Sequence, residues 1–357
     1  MSRFFSSKYK DLEPYTPGEQ PRDMKYIKLN TNESPFLPSK KALELACAEA
    51  EKYQLYSDPE CTELVRVASE YFGVAKDEIL FTNGSDEILN FAFMAFCDSE
   101  HPAYFPDITY GFYSVFAKIN NVPFVEIPLK EDFTVDITDY YNKKGVIFIA
   151  NPNAPTGIAL PLCDIESIIK NNPESVVVVD EAYVDFGAES AVGLIRKYDN
   201  LLVTQTFSKS RSMAGARLGF GIGCRELIAD LNTIKYSTNP YNVNRATMAA
   251  GTGSLLDSEY TEANCQKIIN TRSRVARALL DLGFEMTPSL ANFIFAKHNK
   301  IDGEKIYLEL KKRGILVRHF SKPSICQYNR ITVGTDEQMD MLLQSLKEII
   351  GEYNENN

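Results

Sequence analysis

Between residues 79 and 222 seven short apolar runs recur, with helical stretches between several of them. They are Ile79-Leu80-Phe81, Ala103-Tyr104-Phe105, Phe124-Val125-Glu126-Ile127, Val146-Ile147-Phe148-Ile149, the four valines 176–179, Leu201-Leu202-Val203 and Gly219-Phe220-Gly221-Ile222. Nearly continuous Val/Ile runs lack the alternation of a sheet with one wet face. They call for a mostly parallel sheet covered by helices on both sides. The expected fold is therefore α/β, a large domain with a mostly parallel seven-stranded sheet between helices, plus a smaller α+β domain. Residues 40–53 and 62–72 read as amphipathic helices ahead of the sheet. After about residue 245 the texture changes to a long helical stretch (259–282), then Asn292-Phe293-Ile294-Phe295, a helix near 305–313, Ile315-Leu316-Val317, Ile331-Thr332-Val333 and a last helix through Ile350. The first thirty residues are polar and carry Pro14, Pro17, Gly18 and Pro21, as an arm laid over another unit would. The expected division is an arm (1–29) packing on the small domain, a large domain (30–245) and a small domain (246–357), in line with a chain of 357 residues.

A net charge of −10 argues against nucleic acid or an anionic membrane surface as the main partner, so any anionic ligand must be held by local donors. No stretch has the length of a transmembrane helix, and the start reads as no secretory leader. Seven scattered cysteines without a C-x-x-C pair favour free thiols in a reducing cytoplasm over disulfides or zinc. The three histidines are too far apart to form a local metal motif, and no metal is expected.

Ligands of such sheets gather beyond the carboxyl ends of the strands, so the residues just after each run matter most. After Leu201-Leu202-Val203 comes Ser208-Lys209, with Arg217 eight residues beyond the lysine. A lysine there can form a Schiff base with a carbonyl cofactor, and an arginine can hold that cofactor's phosphate. After residue 81 comes Thr82-Asn83-Gly84-Ser85-Asp86-Glu87: free amides at a helix start attract phosphate, although Ser85 or Asp86 could equally be plain caps. Tyr110, beyond the next strand, could stack on an aromatic ring or simply pack at a rim. Asn151-Pro152-Asn153-Ala154-Pro155-Thr156-Gly157 is dense in turn residues and offers the Asn153 amide. Asp180-Glu181-Ala182-Tyr183 ends a buried strand, where a carboxylate needs a partner. A protonated ring nitrogen would serve, as would a nearby amide or arginine. Taken together, these strand ends supply phosphate donors, a ring stack, an oxygen donor, an acid for a pyridinium and a Schiff-base lysine. That set matches pyridoxal 5'-phosphate.

On these motifs the chain resembles the fold-type I pyridoxal-phosphate-dependent aminotransferases, and among them it is similar to the histidinol-phosphate aminotransferases. Further motifs of the resemblance are Pro14-Tyr15-Thr16-Pro17-Gly18, residues 29–35, Tyr56-Ser57-Asp58-Pro59 and Arg330-Ile331-Thr332-Val333-Gly334. The resemblance implies that Lys209 carries the cofactor and that Asp180 pairs with its ring nitrogen. Asn153 and Tyr183 would face its phenolic oxygen, and Tyr110 would stack on its ring. The phosphate would lie on Gly84, the amides of Ser85 and Asp86, Ser208 and Arg217. Tyr56 would reach the neighbouring subunit's cofactor, implying a homodimer with shared active sites. Arg330, near Asn32, would grip the α-carboxylate of the amino donor. Arg318, helped by Tyr15, would take the substrate's phosphate.

The implied reaction is a ping-pong exchange between glutamate and imidazole acetol phosphate in histidine biosynthesis. An aromatic amino-acid aminotransferase and a threonine-phosphate decarboxylase of the same fold are the nearest alternatives. A non-catalytic cofactor-binding sensor is a more distant one. The chain departs from the family's usual pattern at Leu55, Ser57, Ile108 and Ser210-Arg211-Ser212-Met213.

Overall fold

The computed structural model describes residues 2–10 and 12–355. Strand β1 (Ile27–Lys28) and helices α1 (Lys40–Glu49) and α2 (Thr62–Phe72) precede the main sheet. Seven strands then build it: β2 (Ile79–Thr82), β3 (Ala103–Pro106), β4 (Phe124–Ile127), β5 (Val146–Ala150), β6 (Val177–Asp180), β7 (Leu201–Thr206) and β8 (Gly219–Gly223). Each apolar run of the sequence becomes one strand. Their order is β2-β8-β7-β6-β5-β3-β4. Only β8 runs against its neighbours, β7 and β2; the other pairs are parallel. Helices α3 (Ser85–Phe96), α4 (Phe112–Asn120), α5 (Leu162–Lys170) and α6 (Arg225–Thr238) cover the two faces.

Successive side chains of a strand point to opposite faces, and here both faces are dry. Ile147, Ile149, Val177, Val179, Leu201 and Val203 pack with α2 and α5 in one core. Val146, Phe148, Val178 and Leu202 pack with α3, α4 and α6 in the other. The edge strand β4 is the exception: its Val125 and Glu126 are exposed, and a charge on an edge discourages further pairing.

Helix α7 (Arg245–Leu255) starts at residue 245, the expected end of the large domain, and packs under the large sheet. Ala250 and Leu255 belong to the core under the large sheet, with Leu64 and Leu218. Glycine makes the contact possible. A Cβ on Gly253 would lie 2.6 Å from the Lys41 carbonyl oxygen and 2.7 Å from Ala42 Cα of α1. The second lobe's core begins in the next helix, α8 (Ser258–Asp281), at Val275.

That lobe holds a four-stranded antiparallel sheet of β9 (Phe284–Met286), β10 (Phe293–His298), β12 (Arg318–His319) and β13 (Asn329–Thr332), with α9 (Gly303–Lys312) and α10 (Asp336–Glu355). The run 315–317 does not form one strand. Ile315–Leu316 (β11) pairs in parallel with β1, buried Val317 makes the transfer, and Arg318 continues in the other sheet. The expected helix 40–53 also ends early, with a 3-10 turn at Ala50–Lys52. Leu29 enters the small-lobe core, and Glu19 of the arm pairs with Lys311 and Tyr307 of α9.

Two helical glycines give opposite expectations. Gly351 of α10 has open space where a Cβ would go. Gly351→Ala should therefore stabilise by about 1 kcal/mol through helix propensity. Gly253→Ala should instead destabilise by about 1–3 kcal/mol by overpacking. Urea midpoints of the two variants check this, and a stabilising Gly253→Ala would contradict the α1–α7 contact.

Candidate active site

The carboxyl ends of β2, β3, β5, β6 and β7 lie along one edge of the sheet, and the segments that follow them enclose an inner pocket. Gly84 turns the chain from β2 into α3 with φ +78, and no side chain caps that helix. That φ is what calls for glycine, and a Cβ at residue 84 would also displace the Arg217 guanidinium, whose Nη2 would lie 2.6 Å away. The first amides of α3 have no intrahelical acceptor and, with the helix dipole, favour an anion. Ser208 and Arg217 close this end: Arg217 Nη1 lies 3.4 Å from Ser208 Oγ, and Nη2 donates to Asp86 at 3.0 Å. The Asp86 carboxylate also accepts from the Tyr110 hydroxyl at 2.6 Å, which fixes that ring at the pocket wall.

Asp180, the last residue of β6, lines the same pocket. Burial pushes its carboxyl up to about 6 against the lowering effect of the Tyr113 hydroxyl, which donates at 2.9 Å. Thr204 Oγ1, 3.4 Å away, and the Ala182 amide assist. Among the described residues no cationic side chain lies within ion-pair distance of it. The adjacent Glu181 is also raised, to about 7, but its carboxylate is spent on Ser190, the Ala191 amide and Gln205. Of the two acids, only Asp180 lines the pocket.

Lys209 lines the pocket with Asp180. Its amine donates to the Thr31 carbonyl at 3.2 Å and lies 5.9 Å from the Tyr183 ring centre. Desolvation, and then the charge of Arg330, push it down to about 8.

An outer vestibule opens from the inner pocket and shares Asp86, Tyr110, Tyr183 and Lys209 with it. Tyr15, Asn32, Arg318 and Arg330 line it. Asn32, at φ 56, donates to the Tyr183 hydroxyl at 2.9 Å and accepts from Thr332 at 3.0 Å. Arg330 lies over the Phe293 and Phe320 rings and donates weakly to the Asn30 carbonyl at 3.3 Å. Its Nε is buried without a partner. Desolvation lowers its pKa. Arg318 donates to the carbonyls of Thr16 and Pro17, each at 3.2 Å, and Tyr15 stacks on Phe112 at 4.2 Å. Among the described residues neither arginine pairs with a carboxylate.

Three residues expected at the cofactor, Gly84, Asn153 and Tyr56, do not line this pocket; Gly84 adjoins Ser85, which does. Both amide hydrogens of Asn153 are engaged, by the Ile108 carbonyl and Thr156, and its oxygen accepts from Thr109. Its neighbours Pro152 and Ala154 line the pocket instead. Asn153 thus ties the loop after β5 to the segment carrying Tyr110. Tyr56 is exposed, stacks on Tyr241 at 4.7 Å and lines neither cavity. Conversely, Tyr113, Thr204 and Thr31 were not anticipated. Tyr113 was accessible through its spacing of three from Tyr110 at a helix start. Thr204 required the β6–β7 register, in which it sits beside Asp180.

Pyridoxal 5'-phosphate fits this set. Unpaired helix amides, a serine and an arginine suit its phosphate. An uncompensated buried acid suits its ring nitrogen, and a partly neutral amine suits its aldehyde. A lysine–acid pocket at the switch edge of a doubly covered sheet defines a carbonyl-cofactor enzyme. The aminotransferase class I and II family matches residues 24–346, and the chain belongs to it. It is 51% identical to the histidinol-phosphate aminotransferase of Brachyspira hyodysenteriae, over 98% of this chain and 99% of the other. The enzyme of that name from Clostridium acetobutylicum is 47% identical, over 98% and 100%. The solved histidinol-phosphate aminotransferase of Sinorhizobium meliloti, in complex with pyridoxal-5'-phosphate, shares the fold with a TM-score of 0.84 at 24% identity over 92% of each chain.

Only the neutral amine attacks an aldehyde. With Lys209 at about 8, capture of the aldehyde by the apoprotein should quicken about tenfold per pH unit below 8 and level off above it. Stopped-flow absorbance measures this; a rate still climbing at pH 10 would contradict the depressed amine.

Proposed function

We propose that the protein is a pyridoxal-5'-phosphate-dependent histidinol-phosphate aminotransferase. It would exchange an amino group between glutamate and imidazole acetol phosphate, giving 2-oxoglutarate and histidinol phosphate in histidine biosynthesis. One observation carries the reading beyond the family: the lysine–acid pocket opens into a vestibule with two arginines, Arg318 and Arg330, that pair with no carboxylate among the described residues. The near-full-length identity to enzymes of that name supports it.

The bound cofactor supplies an aldehyde that condenses with the substrate amine and a ring that accepts the electrons released at Cα. The chain's residues do the rest. Asp180 holds a proton on the ring nitrogen, because a nearby negative charge favours the cationic form. Released from the cofactor by the incoming amine, Lys209 takes the proton from the substrate Cα and returns it to the cofactor's C4' carbon. Tyr110 confines the ring from one side. Gly84, the amides of Ser85 and Asp86, Ser208 and Arg217 hold the phosphate. Tyr183, oriented by Asn32, faces the phenolic oxygen. Arg330 binds the α-carboxylate of glutamate with its two parallel donors. Arg318 exchanges the arm carbonyls for the substrate's phosphate, with Tyr15 closing over it.

The active unit in this reading is a cytoplasmic homodimer. Exposed Tyr56 then completes the neighbouring subunit's phosphate site, which accounts for its distance from the pocket of its own chain. Among the described residues no helix is long and apolar enough to cross a membrane.

Lys209→Ala should reduce turnover by about 10²–10⁴-fold or more and remove the borohydride-reducible cofactor adduct; near-normal turnover would end the proposal. Arg318→Ala should lower kcat/KM for histidinol phosphate by about 30–100-fold, the loss of a charge-assisted contact. It should spare the glutamate half-reaction. Single-turnover absorbance with glutamate, histidinol phosphate, phenylalanine, tyrosine and threonine phosphate measures both effects, and equal losses for glutamate and histidinol phosphate would contradict the division of labour.

A further inference from the structure

We infer that Tyr113 is a positioning residue of this site: its hydroxyl holds the Asp180 carboxylate in the orientation and charge state that a protonated ring nitrogen requires. This deepens the cofactor reading above and rests on it. The hydroxyl donates to Asp180 Oδ2 at 2.9 Å, and both groups are buried. The other side-chain donor, Thr204, is more distant at 3.4 Å. Desolvation, and to a smaller degree the Asp86 carboxylate, favour the uncharged acid; with no cation paired to Asp180 among the described residues, the tyrosine is the main side chain opposing both.

The ring of Tyr113 is fixed independently of any ligand. It packs at 5.7 Å from Phe105, 5.6 Å from Phe148 and 5.7 Å edge-on to Tyr110. Tyr110 and Tyr113 are three residues apart at the start of α4, so one turn delivers both a ring wall and the acid's donor. Burial and the Asp180 charge hold the phenol far above neutrality in its pKa, so it remains a donor throughout the working pH range.

Removing that one oxygen should raise the Asp180 carboxyl further above its value of about 6. The sign then follows. More of the protein carries an uncharged acid as pH falls, an uncharged acid cannot hold the ring cation, and the affinity deficit grows toward low pH.

The test titrates apoprotein with pyridoxal 5'-phosphate by fluorescence quenching between pH 6 and 8. It compares wild type, Tyr113→Phe, Asp180→Asn and the double variant. Tyr113→Phe should bind about tenfold more weakly at pH 7, the loss of one hydrogen bond to a charged group, and more weakly still at pH 6. In the Asp180→Asn background the same change should have almost no effect. An equal loss in both backgrounds, which general destabilisation would produce, overturns the inference; so does unchanged binding. If wild type itself forms no reducible adduct at Lys209, the cofactor reading has failed instead.

Discussion

An ionised carboxylate in a dry interior demands a positive partner, and Asp180 sits at such a place with only neutral donors around it. The apoprotein accommodates this by letting the acid drift toward its neutral form. A ligand with a protonated ring nitrogen repays the desolvation and restores the charge. In the proposed reading that one demand orders the rest of the pocket: the ring nitrogen would face Asp180, the phosphate would rest where α3 begins and Arg217 reaches in, and the aldehyde would meet Lys209.

The antiparallel strand β8 serves the same arrangement. The chain leaves β7 at Thr206, passes Ser208 and Lys209, and must turn back within a dozen residues to place Arg217 on the same pocket. A parallel crossover would need a helix and would carry Arg217 away. Reversal also brings β8 against the start of α3. A Cβ on Gly219 would lie 2.3 Å from the Ser85 amide nitrogen, so the glycine at that position lets the strand pass beneath the anion site.

Most of this was legible in the sequence, for a physical reason. Strands buried on both faces announce themselves as apolar runs, and in such sheets the residues that follow them face ligands, so chemistry and fold share one set of landmarks. What escaped depends on register or on backbone contact. Thr204 meets Asp180 only through strand pairing. Asn153 sits in the expected motif, yet its hydrogen bonds turn inward to the Tyr110 segment. Helix α7 approaches α1 closely because residue 253 is glycine, and an apolar pattern cannot report a missing side chain. The run 315–317 divides between two sheets at Val317, although its residues are uniformly apolar.

The cations also act on one another. The charge of Arg330 is the second cause, after desolvation, of the low pKa of Lys209. At rest this favours a neutral amine able to capture an aldehyde. In the proposed reaction a substrate carboxylate on Arg330 would cancel that charge and let the amine's basicity rise. Basicity is what abstraction of a Cα proton requires. A single arginine would thus keep the lysine nucleophilic when the vestibule is empty and make it a stronger base once an amino acid has arrived. This coupling needs both groups in a poorly solvated space, which explains why Arg330 stacks on aromatic rings instead of resting on a surface acid. A chain of net charge −10 can thus offer an anion site not through its average field but through local donors such as Arg330, held against aromatic rings with its Nε unpartnered.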